Sequence, residues 1–149
     1  MIANRVTALL KAEPARVFAC LVEEALLMRW IGGLLESRQT VGDAPGSGAT
    51  YRQVLLLDGK REVVERVITG YDPETHLAYR IKAADLDLTG AFDLEPEGGT
   101  THFSYRQETH GRSLAFTLLK PVVTARIQRK IESDLAALKR LVERPGTSG

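Results

Sequence analysis

Arg66 is the first residue in this chain whose type and setting suggest chemistry. It sits in Val63-Val64-Glu65-Arg66-Val67-Ile68, a run with apolar residues in both alternating sets. If Val64 and Ile68 point inward, Arg66 does so too, and a buried guanidinium then needs an anionic or carbonyl partner. If Val63 and Val67 point inward, Glu65 is the inward charge and Arg66 meets solvent. The sequence leaves both registers open, with a lean toward Arg66 inward. A second signal is the tripeptide Tyr-Arg-Gln, which occurs as Tyr51-Arg52-Gln53 and again as Tyr105-Arg106-Gln107. Tyr105 and Gln107 share a side with Phe103. A phenol and an amide there could orient a carbonyl or enol oxygen, or simply satisfy one another.

Around these polar groups stands a set of apolar candidates. Leu88, Phe92, Phe103 and Tyr105 fall on inner positions of alternating segments, and Tyr79 joins them beside Leu77 and Ile81. Trp30 and Ile127 are placed to close the space. The competing reading is a filled core, since interiors pack to crystal-like density. The histidines suggest no metal site: His76 follows a turn, while His102 and His110 alternate with the inner face and should point outward. A metal needs two or three converging ligands, so none is expected, and no cofactor is implied. Cys20 lies among apolar residues of a helix and reads as an inert buried thiol. No GxSxG, P-loop or GxGxxG is present, and the glycine-rich stretch Gly42 to Gly48 lacks the Lys-Ser/Thr of a phosphate loop.

The composition fits a small-ligand protein better than a polyelectrolyte binder. The 149 residues amount to one domain, and 20 Lys and Arg against 19 Asp and Glu leave a formal charge of +1. That balance gives no electrostatic case for nucleic acid or an anionic membrane. A 44% hydrophobic and 26% charged chain is that of a globular domain. One cysteine cannot form an internal disulfide, no apolar run reaches the ~20 residues of a membrane span, and no signal-peptide pattern precedes Lys11. A cytoplasmic, reducing location is the expectation. The oligomeric state stays open, a homodimer included.

The elements that must position these residues follow from periodicity. A strand is predicted over Ile2 to Ala12, broken by Glu13-Pro14, and Pro14 suits a first helical position. A second short helix runs from Glu24 to Ile31 and stops at Gly32-Gly33. Strands are then predicted over 34–41, 50–57, 61–70, 76–83, 86–94 and 101–107. Asp58-Gly59 marks a tight hairpin, and turns fall at Tyr71 to Glu74 and Glu95 to Gly99. The last third is helical: a short turn over Leu114 to Leu119, then a long helix from Pro121 to Glu143. Its stripe of Val123, Ile127, Ile131, Leu135, Leu138 and Val142 forms one apolar face. Residues 1–144 should form a single domain, and residues 145–149 a disordered tail. A meander with one apolar face needs a cover, and that helix is the element large enough to provide it.

Pro14-Ala15-Arg16-Val17-Phe18, Arg29-Trp30-Ile31-Gly32-Gly33, Tyr71-Asp72-Pro73 and Leu94-Glu95-Pro96-Glu97-Gly98-Gly99-Thr100 occur in this order. Together they resemble the START/birch-pollen-allergen (SRPBCC) superfamily, in its bacterial polyketide cyclase/dehydrase and lipid-transport branch. The resemblance spans nearly the whole chain and implies an α+β helix-grip fold. In that fold a curved antiparallel sheet of about seven strands wraps a long C-terminal helix, with two short helices after the first strand. It also implies binding of a small hydrophobic molecule, of polyketide, lipid or isoprenoid type, between sheet and helix. Residues on the expected wall are Trp30, Arg66, Tyr79, Leu88, Phe92, Phe103, Tyr105, Gln107 and Ile127. Two alternatives accompany this reading. A cyclase or dehydratase would use Arg66, Tyr79, Tyr105 and Gln107 to stabilise an enolate and move protons, yet it lacks an inward base unless Glu65 faces in. A protein-interaction module resembling the chaperone-ATPase activators would use the basic outer face of the last helix.

Overall fold

The structure, a computed structural model, describes residues 1–57 and 59–144. Strand β1 (Ile2–Leu10) is followed by α1 (Pro14–Val22) and α2 (Glu24–Trp30). Six strands follow: β2 (Leu34–Val41), β3 (Thr50–Leu57), β4 (Lys60–Asp72), β5 (His76–Lys82), β6 (Leu86–Glu97) and β7 (Thr100–Gly111). Helix α3 (Leu114–Leu118) and the long α4 (Lys120–Glu143) complete the chain. The strands form one antiparallel sheet in the order β1-β7-β6-β5-β4-β3-β2. Five of the six pairings join consecutive strands across turns, as alternation predicts. β1 instead crosses to β7, so β1 and β2 end on opposite edges, and α1 and α2 span the distance between them.

Local chemistry explains where strands turn. Gly98 and Gly99 have φ of 57° and 86°, the conformation a two-residue type I′ hairpin needs. The expected turn over 95–99 therefore shrinks to these glycines, and Pro96 stays in the strand opposite Thr101. Proline is tolerated there because the β5 pairing has already ended at His76–Asp93, leaving no partner for a backbone N–H. β4 also runs longer than expected, with a bulge between Ile68 and Gly70, and Tyr71 and Asp72 still pair with Leu77 and His76. Asp58 of the Asp58-Gly59 hairpin lies outside the described residues, as does the tail expected over 145–149.

Packing is tight at one end of the sheet and open at the other. Leu10, Val17, Leu21, Leu77 and Leu138 are fully buried where α1, α2 and the C-terminal half of α4 meet the sheet. Along α4 the apolar stripe changes character: Ile131, Leu138 and Val142 are buried, with Leu141 beside them, whereas Val123 and Ile127 keep part of their surface open. The covering helix thus closes on the sheet at its C-terminal end, whereas its N-terminal half is tied to the β1 edge through Asn4 with Thr124 and Gln128 and leaves space over the central strands.

The closed end is fastened by Glu143, whose carboxylate accepts from the Lys11 backbone N–H at 2.9 Å and from Lys139 Nζ at 2.8 Å. The Lys11 hydrogen bond, with help from Lys139, holds this carboxyl below its ordinary pKa. A depressed folded-state pKa contributes stability above the unfolded value of ~4.3, lost as pH falls through the folded value. Glu143→Gln should lower stability by a few tenths of a kcal/mol, up to ~1, near neutrality, because the pair is partly solvated. Urea unfolding of both proteins should give that difference at pH 7 and none at pH 2.

Candidate functional site

A cavity of ≈ 580 Å³ opens between the concave sheet face and the N-terminal half of α4. The end of α2 closes one side with Leu27, Trp30 and Ile31, and Phe116 of α3 closes another. Trp30, Arg66, Tyr79, Leu88, Phe92, Phe103, Tyr105, Gln107 and Ile127 all lie on its wall. Pairing register explains the convergence. Arg66, Ile81, Leu88 and Thr109 form one cross-strand row, and Tyr79, Gly90 and Gln107 the next. Leu77, Phe92 and Tyr105 form a third.

Phe92 is the centre of the apolar floor. Its ring stacks on Tyr105 at 4.6 Å and Tyr79 at 6.0 Å, meets Phe103 at 5.8 Å, and takes an edge contact from Trp30 at 6.3 Å. Trp30 is fixed in turn, its Nε1–H donating to the Cys20 carbonyl at 2.8 Å. Cys20 itself is buried, and desolvation raises its thiol pKa, which keeps the sulfur protonated and unreactive.

A line of polar groups crosses this floor. Tyr105 Oη donates to Gln107 Oε1 at 2.7 Å, and Gln107 Nε2 donates to Thr109 Oγ1 at 3.2 Å. Since the single Tyr105 proton is committed to Gln107, the 2.6 Å contact between the Tyr79 and Tyr105 hydroxyls has Tyr79 as donor. Burial raises both phenol pKa values, that of Tyr105 well above the ordinary value, so both are neutral phenols at physiological pH. The pair exists because position 90 is glycine: a Cβ there would come within 2.6 Å of Tyr79 Cζ and 2.7 Å of Tyr105 Oη.

Arg66 faces the cavity. It is 5% exposed, with Val64 and Ile68 buried on the same side, while Val63 is 55% exposed and Glu65 lies on the outer face opposite Arg52. One helical layer covers only one side of the sheet, so in the second apolar set of β4 Val63 stays exposed and Val67 is only half-buried. The guanidinium lies 4.5 Å from the Tyr79 ring centroid and 5.9 Å from that of Tyr51. Burial lowers its pKa, and Tyr79, Tyr51 and Tyr105 oppose that shift.

Other wall residues escaped sequence reasoning. Gln53 stood in the Tyr51-Arg52-Gln53 repeat, but its place on the wall depends on its pairing opposite Val64. Asp134 belongs to α4 and accepts from the Gly32 N–H at 3.0 Å while pairing with Lys130, so it ties α2 to α4. Phe116 reaches the wall because its ring sits against Gly111, where a Cβ would be 2.1 Å from it. His102 and His110 are exposed, and His76 Nδ1 contacts Asp93 Oδ1 at 2.7 Å. Among the described residues no His, Cys, Asp and Glu cluster could hold a metal ion, and no helix is long and apolar enough to cross a membrane.

A twisted antiparallel sheet gripping one long helix over an internal cavity defines the START-like helix-grip class. A START superfamily protein from Mycobacterium smegmatis superposes with a TM-score of 0.82 at 13% identity, over 95% of this chain and 97% of that one. Ara h 8.0201, of the Bet v 1 allergen group, gives 0.75 at 20% identity over 94% and 96%. DynU16, from the dynemicin biosynthetic locus, gives 0.70 at 16% identity, with 96% of this chain matching 48% of that chain. Likeness at these identities establishes the fold. The chain belongs to the polyketide cyclase / dehydrase and lipid transport family, whose profile matches residues 1–143. No curated protein matches it significantly.

Proposed function

We propose that this protein binds a small apolar molecule, of polyketide, lipid or isoprenoid type, in the cavity beneath α4. The observation that carries this reading is the cavity itself: about 580 Å³, walled mostly by aliphatic and aromatic side chains, with a few convergent polar groups. Ligand sites have this size and make-up, whereas a core would be filled at such a position. Catalysis by an internal base has less support. Glu65, His102 and His110 are exposed, and Asp134 is engaged with Gly32 and Lys130. The buried lone Cys20 suits a reducing compartment, and the proposed setting is the cytoplasm.

Trp30, the sole tryptophan, supplies a reporter on the cavity wall. A brominated undecanol should quench its fluorescence saturably. Leu88→Arg and Ile127→Arg each place a charge in the apolar space and should weaken binding at least ~10-fold. Both side chains are only partly buried, so thermal melts should show folded variants. Equal quenching in folded variants and wild type would refute the cavity as the binding site.

A further inference from the structure

We infer that the ligand is an amphiphile whose single anionic oxygen group, a carboxylate in the simplest case, docks on Arg66. The inference rests on the cavity-binding reading above and specifies its ligand. Arg66 is 5% exposed on the cavity wall, and among the described residues no side chain accepts a hydrogen bond from its guanidinium or pairs with it ionically. Its immediate neighbours are the faces of Tyr79 and Tyr51. The guanidinium nitrogens open onto the cavity without a protein acceptor, and the ring faces compensate the charge only in part. The side from which an acceptor can reach these donors is the cavity.

Its charge follows from the wall. A neutral carbonyl would accept the hydrogen bonds but leave the buried positive charge unbalanced. A dianion would exceed the one buried cation among the described residues, since Arg126 and Lys130 border the cavity from exposed positions on α4, and Lys130 already pairs with Asp134. A carboxylate matches the guanidinium in charge and in its two-pronged geometry. The row Arg66–Ile81–Leu88 then sets aliphatic side chains directly beside the head group, where the apolar body of the ligand begins.

Brominated undecanoate and brominated undecanol, titrated against Trp30 fluorescence, separate head group from tail. The wild type should bind the carboxylate about 10- to 100-fold more tightly than the alcohol, the range for charge-assisted hydrogen bonds. Arg66→Met should abolish that preference by bringing carboxylate affinity down to that of the alcohol in the same variant, and should melt no lower than wild type, because it removes a buried charge with no ionic partner. Arg66→Lys, which keeps the charge, should retain a reduced preference. Equal affinities in wild type, or a preference that survives in folded Arg66→Met, would overturn the assignment of Arg66 while leaving cavity binding intact. Failure of both probes to quench Trp30 would overturn cavity binding itself, and the head-group assignment with it.

Discussion

Phe92→Ala should destabilise the protein by about 3–5 kcal/mol, the range for removing a buried aromatic side chain. Phe92 is 6% exposed, and its ring is in contact with those of Trp30, Tyr79, Phe103 and Tyr105. Each aromatic contact is worth about 0.5–1.5 kcal/mol beyond area burial, so the loss reaches past the side chain itself. Because Phe92 also lines the cavity, the space left behind joins an existing void. Neighbours have little reason to collapse into it, as Trp30 is held by Cys20 and Tyr105 by Gln107. Urea denaturation followed by circular dichroism measures the difference. A loss under ~1 kcal/mol would mean that the ring cluster contributes little to holding sheet and α2 together.

Gly90→Ala is the second large effect, and it comes from space alone, since Gly90 is not among the residues with positive φ. The new methyl would sit 2.6 Å from Tyr79 Cζ and 2.7 Å from Tyr105 Oη, well inside contact distance. Both rings must move, the 2.6 Å hydroxyl pair breaks, and Tyr79 shifts off the Arg66 guanidinium. Overpacking of this kind costs about 1–3 kcal/mol and the lost hydrogen bond about 1 more. The stiffer unfolded chain offsets roughly 0.4–1 kcal/mol. Tyr79→Ala supplies the control: with that ring absent, adding Gly90→Ala should cost less than it does in wild type, because the clash with Tyr105 Oη alone remains. Additive losses in the double mutant would show that the two positions do not share space.

How much of this was legible beforehand differs from element to element. The meander and its cover follow from alternation in Leu86 to Leu94 and from the stripe on α4, because period-two and period-3.6 patterns are local. The inner positions of Phe92, Phe103 and Tyr105 follow from the same alternation. Arg66 was undecided because both faces of β4 carry valines, and only the absence of a layer on the outer face makes Val63 an exposed residue. Asp134 and Phe116 were not legible at all. Their places depend on the angle at which α3 and α4 leave β7, which no local pattern encodes. Gly90 shows the limit most clearly: alternation puts it on the inner face, but only cross-strand register reveals that it makes room for two tyrosines from neighbouring strands.

The most direct test of the cavity as a ligand site is methyl NMR during titration with undecanol. Saturable shifts should appear at Leu88, Ile81 and Ile127, which line the cavity, while Leu10 and Leu138, buried at the closed end of the sheet, stay in place. Shifts confined to Leu114, Leu118 and Val122 on the exposed outer surface, with the cavity methyls unmoved, would contradict it.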